Sequence, residues 1–304
     1  SLPPRRSSGQ GQAALLFSGG LDSTAAALLL PEATPLLMLD RIPRRGTGEG
    51  EERLGDAIIE MVHPRAIFEM FKASGRPGYR VGDGHEQLFE PYPTWHTEMS
   101  RLAAFYAADA LDLEFLETGD VLDVYAFKGY HKEWELEEWA FTRPALLAPV
   151  ADGAAVDPAY VPLSWVGITQ NSATAGLTEV GTSRLVHDSP YKGKTASCYY
   201  ASTKSFCMTC DKCFKKILLH YVLDDREVPE ALFDHFLSQR HLADVFAKRF
   251  FDWHHVWVYI FQRLRCRHPF VAHVQAQAQK GQDLQLLERY YPPMLGTLSA
   301  AYRA

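Results

Sequence analysis

Apolar residues near the start of the chain fall in short runs separated by turn residues, a pattern typical of alternating strands and helices. The run at residues 13–17 ends in Ser18-Gly19-Gly20, and the helix-forming stretch 25–30 follows it. Residues 34–40 repeat the strand pattern, and residues 65–71 are a further strand candidate. This alternation predicts an α/β fold with a doubly wound parallel sheet, in which helices cover both faces.

The middle and the end of the chain extend this prediction. Apolar positions recur at helical spacing within residues 95–111, and residues 113–118 then read as a strand that ends at Gly119-Asp120. Beyond residue 217 the chain is helical in character, with Pro229 at a plausible first helical position. We therefore divide the chain into a flexible lead (1–12), an α/β domain (13–217) and a helical C-terminal extension (218–304).

The turn after the first predicted strand has the composition of an anion site. It comprises Ser18, Gly19, Gly20, Leu21, Asp22, Ser23 and Thr24, which we call the phosphate loop. Two glycines allow a tight turn, the following helix offers N–H groups and a positive dipole end, and the serine hydroxyls add donors. Asp22 would orient the loop or help to hold Mg²⁺ between phosphate oxygens. The alternative is an ordinary Gly-Gly turn with Asp22 or Ser23 as the helix cap.

Four of the five cysteines lie close together and form what we call the cysteine module: Cys198, Cys207, Cys210 and Cys213. The spacing C-x8-C-x2-C-x2-C suits a closed tetrahedral Zn²⁺ site, which leaves no open position for chemistry. An iron–sulfur cluster and a redox C-x2-C pair are the competing interpretations. Lys212, Lys215 and Lys216 flank the module, and we expect their charge to offset that of the thiolates.

Together these motifs resemble a known enzyme family. Residues 17–23, Phe-Ser-Gly-Gly-Leu-Asp-Ser, match the SGGxDS motif of the PP-loop ATP pyrophosphatase superfamily. Combined with Ser-Cys-Tyr at 197–199 and Cys-Met-Thr-Cys-Asp-Lys-Cys at 207–213, the chain resembles the 7-cyano-7-deazaguanine synthases over roughly residues 13–217. It lacks the Gly-Lys-Ser/Thr ending of a Walker loop, which disfavours chemistry at the γ-phosphate.

The resemblance implies a ligase that binds ATP and Mg²⁺ at the phosphate loop, with Ser18, Asp22 and Ser23 as catalytic residues, and that carries a structural Zn²⁺. Such enzymes adenylate 7-carboxy-7-deazaguanine, release pyrophosphate and AMP, and use ammonia to form the nitrile in queuosine biosynthesis. A weaker likeness at 119–130 assigns Asp123 and Tyr130 to the deazaguanine-type acid. His131-Lys132-Glu133-Trp134 replaces the family's Pro-Asp-Cys-Arg, so the substrate stays open, as does a plain turn-capping role for Asp123 and a packing role for Tyr130.

Three further functions remain open at this point. A paralogue in anti-phage defence would conjugate the activated acid to a protein amine instead of ammonia. A PP-loop thiolase would transfer sulfur to tRNA, although the net charge of −6 disfavours contact with nucleic acid. A regulatory protein would keep the nucleotide site without turnover. None of these needs a membrane, and no apolar run approaches the roughly 20 residues that span a bilayer.

The remaining predictions concern location and partners. A cysteine cluster of metal type, together with a lead that has no apolar signal core, favours a soluble cytoplasmic protein. Aromatic residues crowd one stretch of the C-terminal extension: Phe250, Phe251, Trp253, Trp257, Tyr259 and Phe261. A helix that is apolar on nearly all sides is buried in its own domain or in a partner. We therefore expect these helices to pack internally or to form a homodimer or protein-docking surface.

Overall fold

The computed structural model describes residues 12–39, 64–81, 104, 107–122, 167–195, 210–239, 255–280, 283–292 and 294. Within them, five strands form one sheet: β1 (Gln12–Leu16), β2 (Leu36–Leu39), β3 (Gly78–Val81), β4 (Leu113–Thr118) and β5 (Thr169–Ser172). All neighbouring strands run parallel, in the order β3-β2-β1-β4-β5. The predicted α/β fold with a parallel sheet is confirmed.

The helices that the structure describes are distributed along the whole chain. They are α1 (Leu21–Leu29), α2 (Pro64–Ala73), α3 (Glu179–His187), α4 (Asp211–Leu223), α5 (Glu230–Leu237), α6 (His255–Arg263) and α7 (Pro269–Ala278), followed by a 3-10 helix at Leu284–Glu288. Helix α4 continues through residue 217, where we expected the α/β domain to end. No helix in the described ranges is long and apolar enough to cross a membrane.

Apolar clusters cover both faces of the sheet, because consecutive strand residues point to opposite sides. Leu15 of β1 and Leu36 of β2 pack with α1 and α2 on one face. Ala14 and Leu37 pack on the other face, against a cluster that includes helical residues Ala104, Ala107 and Ala108. Buried strands with near-continuous apolar sequence are what a parallel sheet covered on both sides requires.

One predicted strand is wrong. Residues 65–71 lie in helix α2, which begins at Pro64, a residue whose fixed φ suits the first turn of a helix. Ile67, Phe68 and Phe71 are buried on one face of this helix, at a spacing that fits a helix and not a strand. The short apolar run was ambiguous because strand and buried helix share that composition.

The C-terminal helices form their own apolar core. Trp257, Tyr259 and Phe261 of α6 have 2%, 1% and 0% of their surface exposed, and they pack with α4, α5 and α7. These aromatic side chains are therefore buried within the chain itself. Phe250, Phe251 and Trp253 lie outside the described residues, and a homodimer or protein partner stays a prediction.

Candidate functional site

The phosphate loop lies at the carboxyl edge of the sheet, where it follows β1 and includes the first turn of α1. From β1 the chain moves to β2 and β3 on one side, whereas β4 and β5 lie on the other side. In open parallel sheets ligands bind in the crevice at such a reversal of strand order, outside the carboxyl ends of the strands. The topology therefore puts the predicted anion loop at the position where a ligand is expected.

The backbone of the loop explains both glycines. Gly19 has φ 70°, in the left-handed region that residues with a Cβ rarely adopt. Gly20 is the N-cap of α1 and, without a side chain, cannot cap the helix itself. The N–H groups of the first turn consequently face a site that an anion can occupy.

Two serine hydroxyls brace this turn. Ser18 Oγ lies 3.1 Å from Ser23 Oγ and accepts a hydrogen bond from the Gly20 N–H at 3.3 Å. Ser18 is exposed, whereas Ser23 is 5% exposed and also donates to the Gly20 carbonyl at 3.1 Å. The fully buried Thr24 hydroxyl donates to the same carbonyl at 2.8 Å. The Ser18 hydroxyl is thus accessible to a ligand, whereas the buried Thr24 hydroxyl stabilises the loop through its bond to the Gly20 carbonyl.

Gly119, directly after β4, is pressed against this loop. A Cβ at that position would lie 2.7 Å from the Ser23 nitrogen and 2.8 Å from the Asp22 carbonyl carbon. Both contacts are with backbone atoms, which cannot rotate away. Only glycine lets the end of β4 approach the first turn of α1 this closely, so Gly119 belongs to the site although it carries no functional group.

Asp22 is held from helix α3. Its Oδ1 atom accepts a hydrogen bond from the Thr182 hydroxyl at 2.8 Å, and its side chain is one-third exposed. Lys216 Nζ, on α4, lies 4.0 Å from the same oxygen and is only 2% exposed. The carboxylate is therefore oriented by its neighbours, and both the loop-orienting role and the Mg²⁺ role that we considered from the sequence stay predictions.

Glu179, the first residue of α3, joins two lysines of α4. Lys216 Nζ lies 2.8 Å from Glu179 Oε1, and Lys215 Nζ lies 2.6 Å from Oε2. Burial alone would raise the pKa of Glu179, but the two ammonium groups lower it well below its ordinary value. The described ion pairs of Lys215 and Lys216 are thus with carboxylates. From the sequence we expected the charge of these lysines to offset that of the thiolates in the cysteine module.

Residues 287–291 brace α3. The Tyr291 N–H donates to the Gly176 carbonyl at 2.7 Å, and the Thr178 hydroxyl, at the N-cap of α3, donates to the Leu287 carbonyl at 2.5 Å. The ring of Tyr290 covers Gly176, where a Cβ would lie 2.4 Å from a ring carbon. The C-terminal segment therefore fixes the turn before the helix that carries Glu179 and Thr182.

Half of the cysteine module lies within the described residues. Cys210 is the N-cap of α4 and Cys213 is in its first turn, with their sulfurs 3.4 Å apart and both side chains buried. Two sulfurs on tetrahedral Zn²⁺ lie about 3.8 Å apart for Zn–S bonds of about 2.3 Å, so these two side chains are close enough together to share one ion. Among the described residues no group of three or more potential ligands could hold a metal; Cys198 and Cys207 lie outside them.

Asp120 follows Gly119 at the carboxyl end of β4, beside the end of β5. Its carboxylate accepts hydrogen bonds from Thr118 Oγ1 at 2.8 Å and Gln170 Nε2 at 3.3 Å. Its carbonyl accepts from the hydroxyls of Ser172 at 2.6 Å and Thr174 at 3.0 Å. Polar contacts therefore fix the ends of β4 and β5 to each other at this edge of the sheet. Asp123 and Tyr130, the predicted substrate residues, lie outside the described residues.

A buried carboxyl group lies on β4, close to this edge of the sheet. Glu117 of β4 is 0% exposed and is paired in register with Asn171 of β5. Burial raises the pKa of Glu117 to about 7, and the neighbouring Asn171 side chain lowers it in part. Sequence reasoning passed over Glu117, as it did Thr182 and Glu179, because an isolated polar residue carries no motif.

Comparison with known proteins gives one match. Residues 161–304, a little under half of the chain, match the model of a family described as a family of unknown function (DUF6395). No curated protein and no solved structure matches the chain. The matched region begins ahead of β5 and includes Thr182, Glu179 and Lys216. It therefore contains the side chains that hold Asp22, whereas the phosphate loop lies before it.

Proposed function

We propose that this protein is a PP-loop ATP pyrophosphatase that activates a carboxylate by adenylation. The observation that supports this most strongly is the position of the SGGxDS loop, at the carboxyl edge of the sheet where the strand order reverses. The left-handed Gly19 and the close approach of Gly119 give the loop the backbone geometry of an anion cradle. The PP-loop identity itself rests on the sequence resemblance.

In the proposed reaction an oxygen of the acid attacks the α-phosphorus of ATP. A bond forms between that oxygen and the α-phosphorus, and the bond between the α-phosphorus and the α–β bridging oxygen breaks. The N–H groups of the first turn of α1 and the Ser18 hydroxyl would hold the departing pyrophosphate, because fixed donors stabilise charge as it develops. The acyl adenylate then reacts with a nitrogen nucleophile and releases AMP.

Two metal ions belong to this proposal. Asp22 would hold Mg²⁺ together with phosphate oxygens, and its oriented, partly exposed carboxylate suits that ion. The ion would neutralise charge on the phosphates. The cysteine module would hold one structural Zn²⁺, a role that the adjacent buried sulfurs of Cys210 and Cys213 support.

The proposed acid is 7-carboxy-7-deazaguanine or a related deazaguanine-type acid. This choice rests on the resemblance, in which Asp123 would accept hydrogen bonds from the donor edge of the base and Tyr130 would contact the ring. The nucleophile is ammonia or a protein amine. The first corresponds to queuosine biosynthesis and the second to a defence conjugation reaction.

The decisive assay incubates the protein with ATP, Mg²⁺, an ammonium salt as the nitrogen source and 7-carboxy-7-deazaguanine, and measures nucleotides, pyrophosphate and the mass of the base. We expect AMP and pyrophosphate in equal amounts and a base converted to amide or nitrile. Asp22→Ala and Ser18→Ala should slow the reaction, whereas Ser238→Ala, an exposed serine on α5's C-terminal end, should not.

Two outcomes would redirect the proposal. ADP and phosphate as the sole products would remove the PP-loop assignment. Tight ATP binding without any turnover would favour the regulatory nucleotide-binding protein that the sequence left open.

A further inference from the structure

We propose that Lys216 is a positioning residue for the phosphate loop, and that its buried ammonium neutralises Asp22 so that the loop can accept a triphosphate. This inference rests on the proposed function and deepens it. It assigns to a residue of α4, behind the loop, a part in nucleotide binding that neither the loop motif nor the matched family describes.

The Lys216 ammonium group is buried at an electrostatic cost. An ammonium group that is 2% exposed requires nearby negative charge, because transfer of an unpaired charge into a protein interior is strongly unfavourable. Glu179 supplies such a charge at 2.8 Å, but Lys215 bonds to the same carboxylate at 2.6 Å. Glu179 carries one negative charge against these two cations, and Asp22, 4.0 Å from Lys216, adds a second.

Asp22 carries its charge where a phosphate would bind. The helix dipole stabilises a carboxylate in the first turn of a helix, but this carboxylate would repel a phosphate bound to the neighbouring N–H donors. Thr182 holds Oδ1 at 2.8 Å and Lys216 faces the same oxygen. The repulsion is thereby reduced while the carboxylate remains available to a divalent cation.

The test is calorimetric titration of ATP in buffer free of Mg²⁺ and of chelators, which leaves the Zn²⁺ site intact. Any Mg²⁺ role of Asp22 is then silent, and only the charge balance of the loop acts. Lys216→Met should weaken ATP binding about tenfold, and Lys216→Arg should restore it to within about threefold of wild type. Asp22→Asn, which keeps the oxygen that Thr182 binds, should strengthen binding severalfold. The double variant Asp22→Asn/Lys216→Met should return to within about threefold of wild type.

Lys215→Met is the matched control, since it removes a cation from the same helix and the same Glu179 carboxylate. Its effect on ATP affinity should be less than about threefold. If Lys216 is merely structural, the double variant will bind ATP as poorly as Lys216→Met. That result, or weaker binding by Asp22→Asn alone, would overturn the proposal even if Lys216→Met could not be purified in folded form.

A second measurement separates this inference from the proposed function. Urea unfolding midpoints of the wild type, the two single variants and the double variant report whether Asp22 and Lys216 interact without any nucleotide. Non-additive midpoints are expected, and additive midpoints would overturn the charge pairing. A wild type that binds no ATP but shows non-additive midpoints would instead refute the nucleotide function and leave the charge pair intact.

Discussion

Replacing Gly119 with alanine tests whether the end of β4 and the phosphate loop form one unit. The added Cβ would lie 2.7 Å from the Ser23 nitrogen, and ordinary van der Waals contact begins near 3.4 Å. The strand end and the helix must therefore separate by about 0.7 Å, because backbone atoms cannot rotate aside as a side chain does. Overpacking of this kind typically costs about 1–3 kcal/mol of folding free energy.

Gly119→Ala should also weaken ATP binding, in addition to destabilising the fold. The displaced atoms belong to the first turn of α1, so an N–H donor to the phosphate moves out of place. A hydrogen bond to a charged group contributes about 1.5–3 kcal/mol, which corresponds to a loss of roughly tenfold to a hundredfold in ATP affinity. Calorimetric titration with ATP measures the affinity, and urea unfolding measures the stability.

Gly78→Ala is the control for this experiment. Its Cβ would also meet an atom at 2.7 Å, but that atom belongs to the Phe68 ring, at the β3 edge of the sheet. We expect Gly78→Ala to lose stability and to bind ATP as the wild type does. If Gly119→Ala also keeps wild-type affinity, the loop does not depend on the end of β4, and the candidate site described above is misplaced.

Three other predictions address the metal, the buried acid and the substrate. Elemental analysis should find one Zn²⁺ per chain, and Cys210→Ser should impair folding. Iron with visible absorbance would contradict the first expectation, and a variant that is folded, active and free of metal would contradict the second. Glu117→Gln should stabilise the protein by about 3 kcal/mol above pH 7 and little below pH 4.5, measured by urea unfolding at several pH values. A carboxyl group whose pKa is raised in the folded state binds more protons when folded than when unfolded. The wild type therefore loses stability as the pH rises through about 7, and the variant does not. Equal pH profiles of the two proteins would refute this prediction. Asp123→Asn should weaken binding of the acid much more than binding of ATP in calorimetric titrations, and two unchanged affinities would place the pocket elsewhere.

Local sequence was sufficient to predict several parts of this protein. Residues 113–118 coincide with β4, and the phosphate loop joins β1 to α1 as expected, with its last residues in the first turn of the helix. In both cases the information is local: a short apolar run, two glycines and a polar helix start specify strand, turn and helix without distant contacts. The alternation of these units then predicted the parallel sheet.

Local pattern failed where distant parts of the chain decide the outcome. Residues 65–71 could form a strand or a buried helix, and only packing of Ile67, Phe68 and Phe71 against the sheet decided for α2. The aromatic run at 257–261 could be buried in its own chain or in a partner, and the C-terminal core decided that for the described side chains.

The contacts of Asp22 show most clearly which features local sequence determines and which depend on the tertiary structure. The sequence by itself determined that a carboxylate follows two glycines at the start of a helix. Only the tertiary structure brought Thr182 and Lys216, more than a hundred residues away, to that carboxylate and placed Gly119 against its backbone. Such contacts leave no periodic trace in the chain, because each is a single polar residue or glycine whose partner is set by the packing of helices onto the sheet.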